Sequence, residues 1–120
     1  MAPTIYVADP DPAERQWIAA ALAPTNAPVR TFDSAGALLG LLHSDDDACL
    51  IVAVEPDEAA AVALVQELRD LGIAIPVIAL GPGTAFRTAR DLARFAHTDY
   101  LERPTSAGRL VAAVRRARGG

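Results

Sequence analysis

The sequence predicts an α/β domain: a doubly wound parallel sheet with helices on both faces. Three observations carry that reading. The stretch Cys49-Leu50-Ile51-Val52-Ala53-Val54-Glu55-Pro56-Asp57 is a continuous apolar run with β-branched residues, stopped by an acid and a proline. That is the pattern of a strand buried on both faces of a parallel sheet. Thr4-Ile5-Tyr6-Val7-Ala8-Asp9-Pro10-Asp11 repeats the design, again ending in carboxylates. Strand-like and helix-like segments then alternate along the whole chain as five βα units, and right-handed crossovers leave few topologies for such a series. In open α/β sheets ligands bind outside the carboxyl ends of the strands, so chemistry is sought among Asp9, Asp11, Ala53 and Glu55.

Each element has a local justification. Pro12 to Leu22 reads as a helix, with Asp11 as N-cap, Pro12 at the first helical position and Ile18, Ala21 and Leu22 facing the sheet. Pro24, Asn26 and Pro28 end it. Val29-Arg30-Thr31-Phe32 alternates as an edge strand does. Asp33 or Ser34 is expected to cap a second helix to about His43, with Leu38, Leu41 and Leu42 buried, and Asp45-Asp46-Asp47 is expected to be a solvated turn. After the third strand, Asp57 or Glu58 starts a helix to about Leu71, on which Val62, Val65, Leu68 and Leu71 recur at helical spacing; Gly72 closes it. A fourth strand is expected from Ile73 to Leu80 and a loop at Gly81-Pro82-Gly83. Thr84 is then expected to cap a helix carrying Arg87, Arg90, Asp91, Leu92 and Arg94. Thr98 to Glu102 reads as the fifth strand, ended by Arg103-Pro104. Ser106 caps a last amphipathic helix through Leu110, Val111 and Val114 to Arg118.

Composition bounds the function. At 120 residues the chain is expected to form one domain spanning residues 1–120, and a net charge of -4 does not favour nucleic acid or an anionic membrane. No basic segment leads into an apolar one at the amino terminus, and no apolar run approaches the ~18 residues of a membrane span, so a cytoplasmic protein is expected. The single cysteine, Cys49, lies inside the third strand and is expected to be a buried, inert thiol. All eleven basic residues are arginine. That bias weakens any argument that a particular arginine replaces lysine for a functional reason.

From Thr4 to Ala117 the chain resembles the receiver domain of two-component response regulators. The resemblance rests on Ile5 to Asp11, Leu50 to Pro56, Leu68-Arg69, Ile75-Pro76-Val77-Ile78-Ala79-Leu80 and Asp99-Tyr100-Leu101-Glu102-Arg103-Pro104, with matching spacings between the blocks. It implies a flavodoxin-like (βα)5 fold with strand order 2-1-3-4-5. It also implies a chemistry, phosphoryl transfer to an Asp ending the third strand, with Mg²⁺ on first-strand acids, a hydroxyl ending the fourth strand and a Lys ending the fifth. Carried over position by position, the phosphoacceptor falls on Ala53, the second acid on Pro10, the hydroxyl on Gly81 and the lysine on Arg103. Asp9 alone matches among the chemical residues, and Tyr100 matches the switch aromatic. A register two residues later would make Glu55 the acceptor or a mimic of the phosphorylated Asp, but spacing to Leu64 and Leu68 favours Ala53.

The reading that follows is a degenerate, phosphorylation-independent receiver: no enzyme, no cofactor, and at best weak metal binding through Asp9 and Asp11. Its partner would be a protein, whether an output domain, a kinase or another regulator, with no binding of nucleic acid or membrane by this domain. Two alternatives stand beside it. One is a small-molecule sensor using a crevice widened at Ala53 and Gly81, and the other a receiver using Glu55. For the partner surface, Arg87, Arg90 and Arg94 lie at helical spacing, with Asp99, Glu102, Arg109 and Arg116 on adjoining elements; they form either a solvated face or a homodimer interface of the fourth helix, fifth strand and fifth helix. Trp17 falls at the margin of its helix's buried stripe, either covered by the last helix or marking an interface. His43 and His97 read as ordinary surface or packing residues. Arg115, Arg116 and Arg118 suit a helix C-terminus. Arg103 is expected to aim into the crevice toward Asp9, with Asp11 or Glu55 in reach; the alternative is a guanidinium in water.

Overall fold

The parallel ladder is laid down in the order β2-β1-β3-β4-β5, from β1 (Thr4–Ala8), β2 (Val29–Phe32), β3 (Ala48–Ala53), β4 (Val77–Pro82) and β5 (Thr98–Arg103). These come from a computed structural model that describes residues 3–42 and 47–119. The helices are α1 (Pro12–Ala21), α2 (Gly36–Leu39), α3 (Glu58–Asp70), α4 (Phe86–Leu92) and α5 (Ala107–Ala117), with a short 3₁₀ turn at Ala23–Thr25. The chain therefore runs outward from β1 to the β2 edge, then returns past β1 to β3. That reversal places a crevice at the carboxyl ends of β1 and β3. Among the described residues no helix is long and apolar enough to cross a membrane.

Alternation along the strands divides the core into two layers. Ile5, Val7, Cys49, Ile51, Ile78 and Leu80 pack against Ile18 and Leu22 of α1 and Leu110 and Val114 of α5. Ala8, Leu50, Val52, Val54, Val77 and Ala79 pack against Leu64, Val65 and Leu68 of α3 and Leu92 of α4. β3 is buried along nearly its whole length, as a central parallel strand must be. Cys49 lies in the first layer, and burial pushes its thiol up to about 12.

Three helix starts are capped as the sequence predicts. Asp11 accepts from the Ala13 amide at 2.9 Å, Asp57 from the Ala60 amide at 3.1 Å and Ser106 from the Arg109 amide at 3.1 Å. At the far end of α3, Gly72 takes a φ of 76°, the Ile73 amide donates to Leu68 O at 2.9 Å and the Gly72 amide to Arg69 O at 3.0 Å. This is the Schellman arrangement, and Ile73 and Leu68 share the core it closes over.

Elsewhere the structure corrects the sequence reading. α2 is a single turn starting at Gly36 with Ala35 at the N-cap, not a helix capped by Asp33 or Ser34; glycines at 36 and 40 bracket it, and each disfavours helix. Leu38 and Leu42 are buried but Leu41 is exposed. His43, Asp45 and Asp46 lie outside the described residues. On α3 the buried stripe is Ala61, Leu64, Val65 and Leu68, while Leu71, at the cap where the chain turns away, is 59% exposed. β4 begins at Val77 rather than Ile73 and continues through Gly81 and Pro82, which pair with Glu102 and Arg103. Proline is tolerated there because Pro82 lies beyond the last β3 pairing, at Ala53 and Leu80. α4 starts at Phe86 with Ala85 at its N-cap, not Thr84, and ends before Arg94.

One side chain ties the second layer together. Arg69, near the end of α3, donates to Ile73 O at 2.7 Å, Ala96 O at 3.0 Å, and His97 O and Thr98 Oγ1 at 3.2 Å. It thereby fixes the α4–β5 connection, where His97 adopts a φ of 58°. Replacing Arg69 with Met should lower unfolding free energy by about 1.5–3 kcal/mol, since several charge-assisted bonds go at once. Urea denaturation checks this, and a loss below about 0.5 kcal/mol would mean water replaces the guanidinium without penalty.

Candidate functional site

At the carboxyl end of β1 the ladder continues one residue further, with the Asp9 amide donating to Phe32 O at 3.0 Å. This holds Asp9 in the sheet, and its side chain is only 3% exposed. A carboxylate buried to that degree needs partners for both oxygens. Oδ1 accepts from the Asp11 amide at 2.9 Å, and Oδ2 accepts from Arg103 Nη2 at 2.7 Å. The Asp9 carbonyl accepts from Arg15 Nη1 at 2.7 Å.

Arg103 arrives from the last residue of β5, on the far side of β3 and β4, with 21% of its side chain exposed. Its second terminal nitrogen, Nη1, donates to Glu14 Oε2 at 3.3 Å. The guanidinium thus reaches Asp9, and its other acid is Glu14 rather than Asp11 or Glu55. Asp11 is engaged as the α1 cap and Glu55 is exposed beyond the end of β3. Glu14 is the residue that sequence reasoning missed, although a signal was present. It sits three residues after the N-cap, at the capping-box position, where an acid in the first turn is held close to the strand end. Among the described residues, the buried Nε of Arg103 and Oγ1 of Thr105 have no hydrogen-bond partner.

Across the crevice the end of β3 carries the methyl group of Ala53. Val54 turns into the core, its amide donating to Leu80 O at 2.9 Å, and Glu55 emerges at the rim. Pro10, Asp33, Ser34, Ala53 and Glu55 line a hollow of about 190 Å³. Gly81 does not widen it. A methyl group added at Gly81 would overlap Val54 Cγ2 and the Tyr100 hydroxyl, so the space beside this glycine is already filled. Tyr100 itself points inward, and its hydroxyl donates to Pro82 O at 2.7 Å. Burial raises the phenol above its usual range, with Glu58, Glu55 and Glu102 nearby adding to the shift. Glu58 in turn accepts a hydrogen bond from Thr88 Oγ1, joining the starts of α3 and α4.

The remaining candidates are dispersed. Arg87, Arg90, Arg94, Asp99, Glu102, Arg109 and Arg116 are all exposed, and Arg94, just past the end of α4, approaches Asp91 of its last turn at 3.9 Å. Phe86, missed in the sequence, is 75% exposed at the start of α4. Trp17 is 39% exposed, partly covered at the margin of the buried stripe of α1.

No protein-family model matches the sequence, and neither does any curated protein. Solved structures do. FixJ-N superposes with a TM-score of 0.87 at 24% identity, covering 99% of this chain and 95% of its own. A response regulator receiver protein from Pseudoalteromonas atlantica gives 0.82 at 24% identity, covering 98% of each chain. The receiver domain of NtrX from Brucella abortus gives 0.80 at 22%, covering 96% of this chain and 98% of its own. The chain has the receiver fold. At these identities the likeness is one of fold, and the receiver strand order 2-1-3-4-5 is the order found here.

The Mg²⁺ implied by the receiver resemblance does not fit the residues present. Such an ion needs several oxygens in octahedral array. Here both Asp9 oxygens are taken, one by a guanidinium, Asp11 caps a helix, and Ala53 and Pro10 supply no side-chain oxygen. Among the described residues no group of three or more acidic, histidine or cysteine side chains is arranged to hold a metal.

Two outcomes test this geometry. A double-mutant cycle with Arg103→Met and Asp9→Asn should give a coupling of about 1–3 kcal/mol in denaturant unfolding. Arg103→Met alone should cost about 2–4 kcal/mol, more than the ~0–1 of an exposed pair, because Asp9 stays buried without its counter-charge. Additivity within ~0.3–0.5 kcal/mol would show that the two groups do not interact. Gly81→Thr should destabilise by about 1–3 kcal/mol through overpacking, with part of the loss recovered on adding Tyr100→Ala. An unchanged denaturation midpoint for Gly81→Thr would show that Val54 and Tyr100 move aside freely.

Proposed function

We propose that this chain is a receiver-type domain of a two-component or phosphorelay signalling system that works without being phosphorylated, as a cytoplasmic protein-interaction module. The observation that carries the reading is the Arg103–Asp9 pair at 2.7 Å, which stands where an active receiver would gather a metal, a phosphoryl group and a lysine. An internal cation balances the acid in place of external ligands. The supporting observations lie around it. By its spacing to Leu64 and Leu68, Ala53 occupies the phosphoacceptor position and offers no nucleophile, Gly81 supplies no hydroxyl, and Tyr100 already fills the adjoining space. Phosphoryl transfer depends on positioning and charge stabilisation, and neither is provided.

The alternatives are less well supported. Glu55 lies beyond the end of β3, exposed, with no cation at 4.0 Å or less among the described residues to activate it or to accept it as a phosphate mimic. A small-molecule sensor would need a pocket of ~300–1,000 Å³ for a drug-sized ligand. The hollow beside Ala53, where that reading places the ligand, is about 190 Å³; the cavity of about 390 Å³ lies on the other flank of the crevice, beside Glu14, Trp17 and Arg103, and Gly81 does not open onto it.

The partner in this reading is a protein: an output domain, a kinase or another regulator. NtrX from Brucella abortus is a longer chain of which the matching region makes up 27%. The net charge of -4 argues against nucleic acid or anionic membrane as the partner of this domain. The exposed set Phe86, Arg87, Arg90, Asp99 and Glu102 on α4 and β5 is a surface for docking such a protein.

Incubation with acetyl phosphate and Mg²⁺ should leave the intact mass unchanged. Ala53→Asp should not restore phosphorylation either, because Arg103 and Asp9 remain locked together and Gly81 has no hydroxyl. An acid-labile gain of one phosphoryl group on the unmodified chain would overturn the proposal, and efficient labelling of Ala53→Asp would show that the surrounding pocket is competent.

A further inference from the structure

Glu14 and Trp17 stand one helical turn apart on α1, so both side chains rise from the same face of the helix. Between them and the connection from β5 to α5 lies a cavity of about 390 Å³, to which Leu80 and Pro104 give an apolar wall and Arg103 and Thr105 a polar one. That volume falls within the ~300–1,000 Å³ of small-molecule sites. The position fits as well, because β4 and β5 end there, and open α/β sheets take their ligands at the carboxyl ends of strands. Trp17, partly exposed, adds a flat aromatic surface.

The polar groups around this cavity are incompletely used. Among the described residues, two buried side-chain polar atoms lack a hydrogen-bond partner, Arg103 Nε and Thr105 Oγ1, and both belong to residues that line it. Buried polar groups nearly always have partners, so two such atoms at one cavity mark it as a place that a bound molecule completes. Of the five N–H donors a guanidinium carries, Arg103 uses one on Asp9 and one on Glu14. Its bond to Glu14 is long, at 3.3 Å, and the Glu14 side chain is 41% exposed, so that carboxylate keeps acceptor capacity facing outward. A guanidinium and a carboxylate therefore sit side by side at the rim, next to an apolar wall.

The complement of that arrangement is a zwitterion with an apolar tail. An ammonium pairs with Glu14 and a carboxylate with Arg103, and in an α-amino acid these two groups are held together on a single carbon, as close as the two charges at the rim. The rest of such a ligand lies along α1 toward Trp17, Leu80 and Pro104, where an aromatic ring can meet the indole offset or edge to face.

We propose that this cavity is a binding site for a free α-amino acid with an aromatic side chain, its ammonium on Glu14, its carboxylate on Arg103 and its ring against Trp17. The site is distinct from the hollow beside Ala53 and does not depend on whether the chain is phosphorylated. A ligand here bridges α1 to the end of β5, the junction that Arg103 already spans, and so gives the domain a chemical input other than phosphate.

L-phenylalanine is the probe. Isothermal titration calorimetry reads its affinity, and emission from Trp17, the single tryptophan, reads the contact. Hydrocinnamate lacks the ammonium and phenethylamine lacks the carboxylate; each should bind roughly tenfold more weakly than L-phenylalanine, and glycine, without a ring, should not bind. Trp17→Ala should weaken L-phenylalanine binding by roughly tenfold. Glu14→Gln should weaken it similarly yet leave the affinity for hydrocinnamate unchanged, because that molecule has no ammonium to place there. Circular dichroism establishes that each variant is folded, and Arg87→Glu, on α4 across the sheet, should bind as the unmodified chain does. The proposal is overturned if L-phenylalanine does not bind at about 10 mM. It is equally overturned if either one-charge analogue binds as well as L-phenylalanine, if folded Trp17→Ala or Glu14→Gln binds it unchanged, if Glu14→Gln weakens both ligands alike, or if Arg87→Glu abolishes binding.

Discussion

The guanidinium of Arg103 beside the carboxylate of Asp9 sets the constraint around which the carboxyl end of the sheet is arranged. β1 and β5 are not neighbours; β3 and β4 lie between them, so a bond of 2.7 Å between their ends spans the crevice. A buried carboxylate without a counter-charge is costly, and the pair supplies that charge from within the fold. The planar fork matters too. Arg103 reaches Asp9 with one nitrogen and Glu14 with the other, so β5, β1 and α1 are held by a single side chain. An ammonium offers a point charge where this site uses two directed donors.

The other half of the crevice is held by packing rather than charge. Gly81 permits Val54 and the Tyr100 hydroxyl to approach the backbone of β4 more closely than any side chain at 81 would allow. Tyr100 uses that room to reach Pro82 O, and Glu58 with Thr88 joins α3 to α4 on the same side. These contacts depend on one another, because the inward tyrosine needs the glycine and its hydroxyl needs the carbonyl beyond it. A crevice closed by an ion pair on one side and a filled recess on the other has few ways to rearrange, since packed interiors change between discrete states rather than deform continuously.

Much of this was legible in the sequence, and the omissions have physical causes. Doubly buried strands announce themselves by long apolar runs, so β1 and β3 and the parallel sheet followed directly, and Asp11, Asp57 and Ser106 declared their helices because a cap is a local interaction. α2 did not follow, because two glycines cut short a pattern that periodicity alone would extend. β4 was misplaced because Ile73 and Ile75 are buried without being paired, and burial is what an apolar run reports. Asp9 and Arg103 were recognisable as neighbours from strand ends. Glu14 was not, since its role depends on the angle at which α1 leaves the sheet. The consequence of Gly81 was also hidden: a missing side chain suggests empty space, and only the positions of Val54 and Tyr100 show that space to be occupied.

The first turn of α1 links the crevice to the flank of the molecule. Asp11 caps the helix, Arg15 holds the Asp9 carbonyl, and Glu14 accepts from Arg103, so the crevice end of α1 is fixed by three side chains. Trp17 follows one turn later on the same rigid helix and lines a cavity together with Glu14 and Arg103. The ion pair therefore bears on more than the charge balance of the crevice, because Arg103 and its α1 partner, Glu14, line the same cavity as the indole. In this receiver fold the side chains that pair across the crevice also fix the first turn of α1, so the crevice and the flank beside Trp17 are built on the same residues.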